Sequence, residues 1–154
     1  MQVEPNGGSD RPESNKSSQS VIFVTSGKPT LTIDGKQHAL TSGSYAYIPA
    51  GTDWALTNNG TTTTSFHWIR KRYVVVDGIK KPDSFVTSDQ DDDPILMPDT
   101  DGRWATSHFV EPADMRHDMH VNIVTFQPGG TIPFAETHVM EHGCLLYTSP
   151  SPRD

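Results

Sequence analysis

Hydrophobic positions in the first half of the chain recur with a period of two rather than the 3.6 of a helix. The run Val21-Ile22-Phe23-Val24-Thr25 is β-branched and aromatic, and Ser26-Gly27 closes it. Residues 30–33 alternate and then meet Asp34-Gly35, a dipeptide that favours a two-residue hairpin turn, with residues 36–40 as the return strand. Residues 44–48 are predicted as the next strand, stopped by Pro49-Ala50-Gly51. Residues 61–69 alternate again, with Phe66 and Trp68 on one face and Ser65 and His67 on the other. Residues 73–76 supply a further run ending at Asp77-Gly78. Short strands with turn signals between them predict an all-β sandwich or small barrel over residues 20–76.

The flanks read differently. Residues 1–19 have no apolar periodicity and are predicted as a flexible segment. Residues 77–103 read as a connector. Its cluster Asp89, Asp91, Asp92 and Asp93 lacks the Gly and terminal Glu of a calcium loop and reads as a solvated loop. Strand-like sequence resumes at 104–110 and 121–126, followed by Gln127-Pro128-Gly129-Gly130, so a second β unit is expected over 104–143. Residues 144–154 end in Ser-Pro-Ser-Pro-Arg-Asp, whose prolines cannot donate to a sheet, and read as a non-native tail. The second unit is then expected to stay open, exposing a sheet edge and an apolar inner face.

Composition narrows the partners. With 12 Lys+Arg against 19 Asp+Glu the net charge is −7, which argues against a nucleic-acid surface. One cysteine excludes an internal disulfide framework. No apolar run reaches the ~18 residues of a membrane span, and no leader pattern opens the chain, so a cytoplasmic location without membrane contact is expected. The apolar share of 33% with 12 Gly and 12 Pro suits short strands better than a helical bundle.

The candidate chemistry lies at Glu136, His138 and His142. Glu136 and His138 share a face in a strand, and His142 has the same parity. A straight strand at ~3.3 Å per residue would hold Glu136 and His142 ~20 Å apart, whereas ligands of one ion sit ~2 Å from it. The chain must therefore turn back after His138 if all three are to meet. One carboxylate and two imidazoles suit Mn²⁺, Fe²⁺ or Zn²⁺. His138-Val139-Met140-Glu141-His142 also reads as H-x-x-E-H, a metalloprotease string that needs a helix, which Pro133, Thr137, Val139 and the flanking glycines disfavour. His38 and His67 read as solvent-facing strand residues. His108, His117 and His120 are weaker candidates for a barrel interior. Tyr45, Tyr47 and Trp54 read as core and rim, and Asp53 and Asn58 as turn residues.

Two spacings carry a family resemblance. Gly43-x5-Pro49-Ala50-Gly51-x2-Trp54-x3-Asn58 is similar to the second cupin motif, with Trp54 where a metal-binding cupin has His. Ser20 stands where the first motif has its Glu. Gly130-x5-Glu136-Thr137-His138-x3-His142-Gly143 resembles the first cupin motif with its ligand types permuted. With Lys71-Arg72-Tyr73 and the 119–126 strand, it resembles the (S)-ureidoglycine aminohydrolases, bicupin enzymes of purine and allantoin catabolism.

The resemblance implies a cupin-like jelly-roll barrel (a double-stranded β-helix), nearly complete in a metal-free first unit, plus the start of a second that binds metal. It implies Mn²⁺ held by Glu136, His138 and His142, with Glu136 also catalytic, and conversion of ureidoglycine to ureidoglycolate and ammonia. A homo-oligomeric parent is expected. The family's fourth ligand, a later Gln, and its catalytic Lys and Tyr region have no counterpart here, so this chain alone is expected to be inactive. A cupin that holds a small ligand without turning it over is the alternative.

Overall fold

A computed structural model describes all residues except 10, 14, 92, 136–142 and 146–154. Every regular element among the described residues is a strand. In chain order these are β1 (Gln2–Val3), β2 (Ser18–Ser26), β3 (Thr30–Ile33), β4 (Lys36–Ala39), β5 (Ser44–Ile48), β6 (Trp54–Thr57), β7 (Thr64–Arg72), β8 (Phe85–Ser88), β9 (Ile95–Leu96), β10 (Trp104–His108) and β11 (Asn122–Phe126).

They form a five-stranded sheet, β1-β7-β2-β5-β8, and two three-stranded sheets, β4-β3-β6 and β11-β10-β9. The first two enclose a core of Ile22, Val24, Leu31, Ile33, Leu40, Ala46, Ile48, Trp54, Leu56 and Phe66. The β3–β4 hairpin turns at Asp34 (φ 46°) and Gly35 (φ 81°). Two consecutive left-handed residues are what the turn between right-twisted strands requires.

β2 and β5 are buried on both faces. Ile22, Val24, Ala46 and Ile48 point into the core. Val21, Tyr45 and Tyr47 point outward and pack with Met119, Phe85, Phe109 and Val121. The outer face of the first sheet is thus covered by residues 109–121, the connection between β10 and β11. That double burial explains why β5 has no exposed position at all.

Four expectations are corrected. The first concerns residues 1–19. Val3 and Gln2 pair with Thr64 and Ser65, Gly8 bridges Thr57, and Ser9 N–H donates to the Leu56 carbonyl at 2.9 Å. This segment joins the β7 edge of one sheet to the β6 edge of the other. Backbone pairing holds it, so hydrophobic periodicity could not reveal it. Second, residues 73–76 are not a strand: β7 runs on to Arg72, and Val74, Val75 and Val76 lie exposed. Third, the 77–103 connector contains β8, which pairs with β5 and belongs to the first unit, and β9, which pairs with β10. Fourth, between Asp53 and Asn58, both read as turn residues, the chain forms a further strand, β6, which pairs along β3.

Candidate functional site

Glu136, His138 and His142 lie outside the described residues. The structure does describe the approach to them. β11 pairs with β10 in full register from Trp104↔Phe126 to His108↔Asn122. The chain then turns at Gln127–Gly130, where Gln127 N–H donates to the Arg103 carbonyl and Gly130 N–H to the Gln127 carbonyl, both at 2.8 Å. A Cβ on Gly130 would stand 2.6 Å from the Arg103 carbonyl oxygen. The glycine that opens the Gly130-x5-Glu136 motif is therefore required by a close backbone approach.

Phe134, two residues before Glu136, stands beside the Trp104 ring at 5.9 Å between centroids. Trp104 also stacks on Phe126 at 6.1 Å. The register places Trp104, Thr106, His108, Asn122, Val124 and Phe126 on one face of this sheet. At its far end His108 Nδ1 lies 3.1 Å from Asn122 Oδ1. Phe134 thus lies at the aromatic end of a sheet face whose other end is polar. Among the described residues no three His, Cys, Asp or Glu side chains are grouped to hold a metal.

The first barrel has an indole, Trp54, and a hydroxyl, Ser20, at the positions where the metal-binding cupin motifs have ligands. Trp54 is in the core and meets Trp68 edge-on, 5.3 Å between centroids and 83° between planes. Trp68 Nε1 donates to Ser20 Oγ at 3.1 Å, so both departures from the metal-binding pattern lie in one contact group. Arg70 covers the Trp68 ring at 4.4 Å and reaches Glu13 at 3.5 Å. An indole nitrogen only donates hydrogen bonds and cannot ligate as imidazole does.

Of the weaker candidates, His117 is the buried one. It meets the Tyr47 ring edge-on at 4.6 Å and lines a cleft of about 290 Å³ with Phe85, Phe109, Glu111, Asp114 and Arg116. Burial holds its pKa below the usual histidine value, against the opposing pull of Asp114. Asp114 itself is held down at about 2, chiefly by the Arg116 guanidinium. Burial is also the largest cause of the lowered pKa of His67, with the N-terminal ammonium second. Asn58 is a fully buried junction rather than a simple turn residue. Sequence reasoning missed it because its partners, Val3 and Thr62, contribute only backbone carbonyls.

Fold and comparison together define the class. The cupin domain family matches residues 1–70, and the fold of the chain is cupin-like. It resembles, more narrowly, the (S)-ureidoglycine aminohydrolase family. It is 28% identical to the (S)-ureidoglycine aminohydrolase of Escherichia coli K12, over 94% of this chain and 54% of that protein. It is 32% identical to a rice protein named as a probable (S)-ureidoglycine aminohydrolase, over 85% of this chain and 41% of that one. A solved structure from Pseudomonas aeruginosa, of a candidate glyoxylate-induced protein, superposes with a TM-score of 0.85 at 55% identity, covering 90% of this chain and 52% of the other. The chain spans about half the length of the curated relatives it matches. No helix among the described residues is long and apolar enough to cross a membrane.

Proposed function

We propose that this chain belongs to a metal-dependent aminohydrolase that converts (S)-ureidoglycine to (S)-ureidoglycolate and ammonia, with Glu136, His138 and His142 as ligands of a divalent ion, Mn²⁺ by family resemblance. The observation that carries the reading is the Glu136-Thr137-His138…His142-Gly143 run, placed directly after the Gly130 turn in a chain similar to ureidoglycine aminohydrolases. The donor set fits: one carboxylate and two imidazoles suit a borderline divalent ion and leave positions for substrate.

The reaction breaks the bond between the central carbon and its amine, and water oxygen takes the place of nitrogen. A bound divalent ion would supply a fixed positive charge for the substrate carboxylate and for negative charge that develops as water adds. Glu136 is suited to pass a proton to the departing amine, since a carboxylate within hydrogen-bond reach of that nitrogen can act as acid and base in turn. His138 and His142 must be neutral to ligate, so metal affinity should fall as pH drops through ~6.5. The first barrel, with Trp54 and Trp68 in its interior, serves as scaffold and as the oligomer surface in this reading.

The test is ammonia release from ureidoglycine, with and without added Mn²⁺, by a protein carrying these residues at the relatives' full length. His138→Ala and His142→Ala should each abolish metal retention and activity. Full activity in either variant would overturn the ligand assignment.

A further inference from the structure

We propose that Asp118 is a positioning residue that latches the β10–β11 connection onto the first barrel and so fixes β11 relative to that barrel; the link to metal binding rests on the function proposed above. Asp118 belongs to the second unit's connection, yet its hydrogen-bond partners among the described residues, Gln19, Lys71 and Val74, all come from the first. Gln19 Nε2 donates to Asp118 Oδ1. Val74 N–H donates to Asp118 Oδ2 at 3.4 Å. Lys71 Nζ donates to the Asp118 carbonyl at 2.6 Å and lies 3.8 Å from Oδ2. Gln19 and Lys71 are themselves a cross-strand pair of β2 and β7.

The network continues inward. Gln19 has no exposed surface, and its Oε1 accepts from the buried Tyr47 hydroxyl at 2.9 Å. A fully buried amide must have both ends satisfied, and Asp118 is what satisfies the nitrogen end. Tyr73 adds a hydrogen bond from its hydroxyl to the Arg116 carbonyl at 3.3 Å. Phe109 stacks on Tyr45 at 4.2 Å at the other end of the connection.

β11 needs such a fixture. Four of its five residues are exposed, so no covering core holds it. Its register with β10 fixes it within its own sheet only. Asp118, four residues before the strand, acts with the packing of Met119 and Val121 to tie its start to the first barrel, and the Gln127 and Gly130 contacts with Arg103 hold its end. A shift at Asp118 would therefore pass along the strand to the Gln127–Gly130 turn, after which the candidate ligands follow in sequence.

The experiment compares Asp118→Ala, Asp118→Asn, Gln19→Leu and the Asp118→Ala/Gln19→Leu double variant in the full chain. Amide exchange across residues 109–126 reads the latch, and Mn²⁺ affinity at a temperature where each variant is folded reads its consequence. Removing either partner should raise exchange at 119–126 by about tenfold or more while β2 and β5 amides keep their protection, and should weaken Mn²⁺ binding by about tenfold, the range seen for residues that support metal ligands. Asp118→Asn keeps one of the two accepted bonds and should fall between. The double variant should lose less than the sum of the two single ones, because their shared contact cannot be lost twice. Unchanged exchange at 119–126 in Asp118→Ala, unchanged Mn²⁺ affinity beside raised exchange, or additive losses in the double variant would overturn the proposal. If the unsubstituted chain takes up no Mn²⁺, the metal reading fails, and the exchange results still decide the latch.

Discussion

His117 is an imidazole with a side chain only 5% exposed, set among Tyr47, Phe85 and Asp114. Burial disfavours its charged form and is the largest cause of its lowered pKa; Asp114 and Asp118 oppose that, while His120 and Arg116 reinforce it. The unfolded chain takes up this proton near pH ~6.5 and the folded one only at lower pH. Between those two values the unfolded state binds more protons, so stability falls as pH drops through the window. The melting midpoint should therefore decline from pH 7 towards pH 5.5, and His117→Leu should flatten that decline. Asp114 loses its charge only near pH 2 in the folded state, so its contribution fades in a separate, more acidic window. An equally steep decline in His117→Leu would assign the effect to other groups.

At the scale of elements, the sequence is most legible where the pattern is local. The hairpin at Asp34-Gly35 and the 44–48 strand stand at the predicted residues because turn chemistry and alternation act over a few positions. β8 and β1 were not legible, since each is short and owes its pairing to a partner distant in sequence. The three valines at 74–76 have strand propensity but lie exposed and outside any strand, a case of context overriding propensity. For the site, Gly130 was legible as motif and is explained by the Arg103 contact, whereas Gln19 and Asp118 carry no sequence signal and meet across 99 positions.

Asn58 links the scale of residues to that of elements. Its amide nitrogen donates to the carbonyls of Val3 at 2.9 Å and Thr62 at 2.8 Å, and its oxygen accepts from Gly60 N–H at 3.1 Å. Asn58→Ala leaves those backbone groups without their partner in a buried place and should cost about 2–3 kcal/mol. The loss should be read as a lower denaturant midpoint together with faster amide exchange at Gln2 and Val3. A midpoint within ~0.5 kcal/mol of the parent would show that the junction is dispensable.

The molecule as a whole combines two unequal bodies. The first has a continuous core between two sheets, and its outer sheet face is covered by the 109–121 connection. The second is one three-stranded sheet whose Trp104 face carries the exposed side chains Ile95, Val124 and Phe126, with Phe134 exposed beside them. Trp104 and Thr106 on that face are buried, but the apolar side chains around them, left largely in water, gain little of the ~25 cal/mol per Å² that burial would add to the stability of the strands. β9–β11 should therefore open at a lower free energy than β2 and β5, as sub-global exchange rather than as part of the main transition. Amide exchange under native conditions checks this directly: protection at 104–108 and 122–126 should fall well below that at 21–24 and 44–48. A hydrophobic dye should bind the folded chain, and Ile95→Lys with Val124→Lys should reduce that binding while leaving the melting of the first body unchanged, because both side chains already face solvent. Equal protection across both bodies, or dye binding indifferent to the two lysines, would mean that the second sheet is covered and that its stability comes from contacts on its Trp104 face.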